Sequence, residues 1–136
     1  MRVLILLIAS LISLNSHATT PQAIMSGYLL QAKQENPAFK EFSAGRGEQF
    51  YHAKHASSSG KQTSCATCHT DNPMSIGAHA KTRKEIQPLA PNANKERFSD
   101  AAKVEKWFKR NCQDVLERAC TAQEKGDFIA YVSSVK

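Results

Sequence analysis

No stretch of the 136-residue chain supplies the roughly twenty consecutive apolar residues that a helix needs to cross a bilayer. The longest apolar run, Val3 to Leu14, spans only twelve positions, which excludes a membrane anchor there. Runs of five like charges are also missing. The net charge of +6 is therefore spread out, which argues against nucleic acid as partner and for an anionic protein surface or anionic cofactor. Strand-like alternation of polar and apolar residues is lacking, so a sheet-based fold is not expected. Internal repeats are absent too, which excludes a solenoid or propeller. Low complexity is confined to Ser57-Ser58-Ser59. The length allows one domain.

What is there begins at the N-terminus. Arg2 precedes the apolar run, and Ser16-His17-Ala18 follows it with small residues at both ends. A basic start, an apolar centre and a small-residue exit form the layout of a secretory signal peptide. Residues 1–18 are expected to be cleaved after Ala18, placing the mature chain in the periplasm. Removal takes away one basic residue, Arg2, and no acid, so the mature charge is +5. A domain this short is marginal unless its core is reinforced, and an exported chain with four cysteines has the means.

The cysteines form two pairs. Cys65 and Cys68 lie in Cys65-Ala66-Thr67-Cys68-His69; Cys112 and Cys120 stand eight positions apart. Cys-x-x-Cys-His is the attachment motif of c-type haem. Two thiols three positions apart on a helical turn meet the two vinyl groups of one haem edge, and the adjacent His69 offers an imidazole to iron. A thioredoxin-like redox pair would need βαβ patterning, which is not found. A zinc site built from all four cysteines is the other alternative, against which oxidising export argues by favouring pairing of the second couple.

The remainder reads as helices and loops. Thr20-Pro21 starts a helix that should stop at Asn36-Pro37, giving an N-terminal extension over 19–42 ahead of a domain over 43–136. A second helix starts at Ser43 and carries Gly47, Phe50 and Tyr51, with His52 and His55 on it as solvated residues. Ser99 is expected to cap a helix bearing Val104, Trp107, Phe108, Val115 and Leu116. Thr121-Ala122-Gln123-Glu124 is a capping box opening the last helix.

This layout resembles class I cytochrome c, which implies an all-α fold with covalently attached haem. Gly47 and Tyr51, facing Tyr131, match that family's small-residue helix crossing. The separation of Tyr51 from Cys65, fourteen positions, is longer than usual for the family. The family's sixth ligand, a methionine from the C-terminal half, has no counterpart. The mature chain has only Met25, before the motif, and Met74, five residues after His69, and five extended residues reach about 17 Å at best. His79 has the chain length to reach the iron. Asn111, on a helix, carries no ligand signal of its own.

A closer resemblance is to the sphaeroides haem protein family of high-spin cytochromes c. It rests on Cys65 to His69, Pro88-Leu89-Ala90-Pro91, Arg97-Phe98-Ser99-Asp100, Lys103 to Phe108, Arg110-Asn111-Cys112 and Cys120-Thr121. The resemblance implies that Asn111 ligates ferric iron and is released on reduction, and that Cys112 and Cys120 form a disulfide. It also implies that the ferrous haem binds oxygen and nitric oxide, with any chemistry on them left open. Electrons would come from a dihaem cytochrome c or a membrane b-type cytochrome. An amide is a weak neutral donor that suits hard ferric iron better than ferrous iron. The competing reading is a low-spin electron carrier with His79 as sixth ligand. Bonding Cys112 to Cys120 would require the helix from Ser99 to end between them, since i and i+8 of a helix lie about 12 Å apart. His69 should have its Nδ1 oriented by a carbonyl, with Pro88 or Pro91 as the expected acceptor.

Overall fold

Thr20 opens the first helix: its hydroxyl accepts from the Ala23 N–H at 3.1 Å, and Pro21 takes the first helical position. In the computed structural model, which describes residues 19–136, helix α1 runs Pro21–Glu35 and stops before Pro37. The expected signal peptide, 1–18, lies outside the described residues. Ser43 caps α2 (Ala44–His52) through the Arg46 N–H. A two-residue hairpin follows, β1 (His55–Ala56) pairing antiparallel with β2 (Gln62–Thr63). It leads into the single turn α3 (Ala66–His69). A second short hairpin, β3 (Gly77–Ala78) with β4 (Glu85–Ile86), precedes α4 (Ala101–Leu116) and α5 (Ala122–Ser134). The fold is mostly helical, as expected, with loops carrying the two small hairpins. Strands of two residues are too short to leave an alternating pattern in sequence.

α5 is the centre of the core. α1 and α2 pack on it closely, and Tyr51, Ile129 and Val132 are fully buried between them. α2 comes near because Gly47 has no side chain: a Cβ there would collide with the Asp127 carbonyl and lie 2.8 Å from the Tyr131 Cβ. The Tyr51 and Tyr131 rings meet at 5.4 Å beside the crossing.

α4 stands off from this bundle and reaches it mainly through side chains. Its inner stripe is Val104, Phe108 and Cys112, spaced to fall on one helical face. Phe108 meets Tyr28 edge-on at 6.0 Å and Phe128 at 5.4 Å. The cap is Asp100, one residue later than expected, and it accepts from the Lys103 N–H at 3.0 Å. Ser99 is diverted to donate to the Glu96 carbonyl at 2.8 Å. The helix ends at Leu116, where Glu117 turns left-handed at φ 55°. Among the described residues no helix is long and apolar enough to cross a membrane.

Candidate functional site

Cys65 N-caps the α3 turn and its carbonyl accepts from the His69 N–H at 3.1 Å. This puts Cys65, Cys68 and His69 on one turn. Their surroundings are tight on one side, since a Cβ on Gly77 would run into the Cys68 carbonyl. Both thiols are free and half-buried. Burial pushes the Cys65 thiol up to about 12. A thiol in a redox pair needs the opposite shift, so the environment disfavours thiol–disulfide exchange. Burial, with the Arg97 guanidinium nearby, pushes the His69 imidazole down to about 4, leaving it neutral, the form that binds metals. Two unbonded thiols and a neutral imidazole on one turn fit a covalently attached haem.

The other two sulfurs are joined: Cys112 and Cys120 form a disulfide with Cα atoms 5.7 Å apart. The bend at Glu117 makes this span possible. With two of the four sulfurs so bound, a four-cysteine zinc site is ruled out by valence. Asn111, the residue before Cys112, is exposed on α4. Its side chain makes no hydrogen bond among the described residues. Trp107, one turn earlier, is 43% exposed, with the Arg110 guanidinium 5.6 Å over its ring.

The β1–β2 hairpin links α4 to the α3 turn. β1 packs against α4, and the Ser58 N–H and hydroxyl donate to the Glu117 carboxylate at the end of α4. β2 runs directly into Ser64 and Cys65. The structure thus ties the segment carrying Asn111 and the disulfide to the turn carrying Cys65, Cys68 and His69.

The remaining candidates are placed elsewhere. His79 sits in the β3–β4 turn, where its Nδ1 accepts from the Thr82 N–H at 3.2 Å. Met25 packs against the helical core from α1. Met74 is half-buried in the turn after His69, where its N–H donates to the Asn72 side chain at 2.9 Å. His52 ends α2, but His55 lies beyond it on β1, because the helix stops at Ala53.

Two groups went unread in the sequence. Arg97 binds one of the two carbonyls expected to orient His69: its Nε donates to the Pro88 oxygen at 2.7 Å, and Asn94 donates there as well. No bond from the His69 ring to Pro88 or Pro91 occurs among the described residues. His55 has a buried Nε2 without a partner. A basic residue nine positions from a proline gives no signal of such a contact, and a lone histidine gives none of its burial.

The helical fold around a Cys-x-x-Cys-His turn defines a c-type cytochrome. The chain belongs to the family described as a domain of unknown function, DUF1924, which matches residues 37–132. It shares 40% identity over 114 residues with cytochrome c'' of Methylophilus methylotrophus, covering 84% of this chain and 79% of that protein. With cytochrome c-type protein SHP of Cereibacter sphaeroides it shares 38% over 116 residues, covering 85% and 84%. The crystal structure of oxidized cytochrome c'' superposes with a TM-score of 0.80 at 39% identity, over 85% of this chain and 94% of that one. The structure of oxidized SHP, described as an oxygen-binding cytochrome c, gives 0.75 at 36%, over 86% and 98%. A solution structure of cytochrome c'', described as addressing haem-ligand detachment, gives 0.76 at 39%, over 84% and 92%.

Proposed function

We propose that this chain is an exported, high-spin monohaem c-type cytochrome that takes up oxygen or nitric oxide in its ferrous state. Residues 1–18 direct export to the periplasm, 19–42 form a helical extension, and 43–136 form the cytochrome domain. Cys65 and Cys68 hold the haem through thioethers, and His69 is its proximal ligand. Bound there, the haem supplies a reducible iron with one exchangeable position. Asn111 fills that position in the ferric protein and withdraws in the ferrous one.

The observation that carries this reading is the placement of Asn111. Its short amide side chain is exposed and unbonded among the described residues, on a helix held by the adjacent Cys112–Cys120 disulfide. The bridge limits how far the backbone can shift there, while the side chain remains movable. A neutral amide favours the harder ferric state, so reduction weakens its hold. The relatives support the reading: one is described as oxygen-binding, the other in terms of haem-ligand detachment.

Electrons come from a dihaem cytochrome c or a membrane b-type cytochrome with an acidic docking face. Lys103, Lys106, Lys109 and Arg110 are all exposed on α4 and form the complementary surface, so association should slow as salt rises.

The test is the visible spectrum of the reduced holoprotein, followed by carbon monoxide. A high-spin ferrous spectrum that shifts on carbon monoxide addition is expected. Asn111→Ala should bind external ligands more readily in the ferric state, and His79→Ala should leave the spectrum unchanged. Sharp low-spin bands in the reduced protein that His79→Ala abolishes would instead establish the electron-carrier reading.

A further inference from the structure

α4 carries Asn111, yet its hold on the bundle is narrow. Near its C-terminal end the disulfide and the Ser58–Glu117 contact fix it. Near its start the polar attachment is Glu105, whose two carboxylate oxygens are both engaged. Oε2 accepts from the Tyr28 hydroxyl of α1 at 2.7 Å, and Oε1 accepts from the Lys125 ammonium of α5 at 2.6 Å. Lys125 is only 8% exposed, and its ammonium lies 5.2 Å over the Tyr28 ring. Three helices therefore meet at one carboxylate, through charge-assisted bonds that are the stronger kind.

We propose that Tyr28, in the N-terminal extension, is a positioning residue for the sixth ligand, acting through Glu105 to set the rotation of α4 and so the reach of Asn111. The inference rests on the reading of Asn111 as that ligand. Glu105 and Asn111 lie about 9 Å apart along the helix axis and on different faces. A contact that draws Glu105 toward α1 and α5 thus turns Asn111 away from the bundle. The disulfide at Cys112 limits translation but permits a small rotation about the axis. With side-chain tips about 5 Å from the axis, a rotation of roughly 10° displaces the Asn111 amide by about 1 Å. That is comparable to the precision a coordination bond demands. The extension, which lies outside the cytochrome domain as drawn from the sequence, thereby acquires a role at the haem pocket.

Cyanide binding to the ferric holoprotein tests this, because cyanide must displace the sixth ligand. Tyr28→Phe removes one hydroxyl and keeps the ring, so haem attachment and the core should persist. It should speed cyanide binding by roughly threefold, the scale of coupling within one hydrogen-bonded network. Glu105→Gln should act in the same direction and serves should Tyr28→Phe fail to assemble. The decisive arm is the Asn111→Ala background, in which Tyr28→Phe should no longer alter the rate. A merely structural role for Tyr28 would change both backgrounds alike, and that result would overturn the proposal. So would an unchanged rate in Tyr28→Phe and Glu105→Gln while Asn111→Ala accelerates binding. If Asn111→Ala itself leaves the rate unchanged, the sixth-ligand reading fails and this proposal falls with it.

Discussion

Arg46 of α2 grips Asp127 of α5 with two nitrogens, Nε to Oδ2 at 2.8 Å and a terminal nitrogen to Oδ1 at 2.9 Å. Asp127 is 3% exposed, and it also accepts from the Ser43 N–H at the start of α2. One carboxylate thereby holds both the guanidinium and the helix start. Removing one partner of a buried pair is costly because the other charge stays buried. Arg46→Met should destabilise the holoprotein by about 2–3 kcal/mol because it leaves the buried Asp127 carboxylate unpaired, and Asp127→Asn by about 1–2, since the partly exposed Arg46 is then solvated. Urea unfolding checks this; a difference within error of zero for Arg46→Met would show the pair to be decorative.

The same crossing sets the next expectation. Gly47→Ala places a methyl group against the Asp127 carbonyl and the Tyr131 Cβ, both on a packed helix with no freedom to yield. It should cost about 3 kcal/mol or more. Gly27→Ala on α1 meets nothing within 4 Å and should stabilise by about 0.5–1 kcal/mol through helix propensity. Thermal melts of the two variants should move in opposite directions.

The Gly47 crossing was legible only through the resemblance to class I cytochrome c, whose small-residue crossing Gly47, Tyr51 and Tyr131 match. The Thr121–Glu124 capping box and the Cys65–His69 turn were legible without it: each is a local pattern whose chemistry depends on spacing alone. The start of α4 was misread by one residue. Ser99 and Asp100 are equally able caps; the Ser99 hydroxyl is instead taken up by the Glu96 carbonyl three residues back, which leaves the cap to Asp100. The Tyr28–Glu105–Lys125 cluster spans 77 positions between its first two members, so no window of sequence contains it. The bond from Arg97 to the Pro88 carbonyl was not legible because a folded loop, not a local pattern, brings the guanidinium there.

Glu124 provides the pH-dependent expectation. Burial would raise its carboxyl, but hydrogen bonds from Arg118 and the Thr121 N–H outweigh that and hold it below the usual carboxylate range. Arg118 donates to both oxygens, at 2.6 and 2.8 Å. A carboxyl with a depressed folded pKa contributes stability above its unfolded value, about 4.3, and loses it as pH falls through the folded value. Glu124→Gln should thus cost about 1 kcal/mol at pH 7. The gap should close as pH drops below about 4. Stability curves that stay parallel down to pH 3 would assign the acid sensitivity to other groups.

The last expectation concerns the link between Cys112 and Cys120. Their bridge closes a short loop across the end of α4, with sequence separation 8. In the chain-entropy treatment such a loop contributes about 2.6 kcal/mol. Unfolded, unreduced holoprotein should therefore show no reactive thiol, since Cys65 and Cys68 would be thioethers and the other pair bonded. Replacing both Cys112 and Cys120 by Ser should lower stability by about 2–3 kcal/mol and release the C-terminal end of α4. Asn111 would then lose that restraint on its backbone, and the ferric protein should bind cyanide faster than its parent. Two thiols in the unfolded parent would refute the bridge. A destabilised double variant with an unchanged cyanide rate would retain the bridge as a staple and remove it from ligand control.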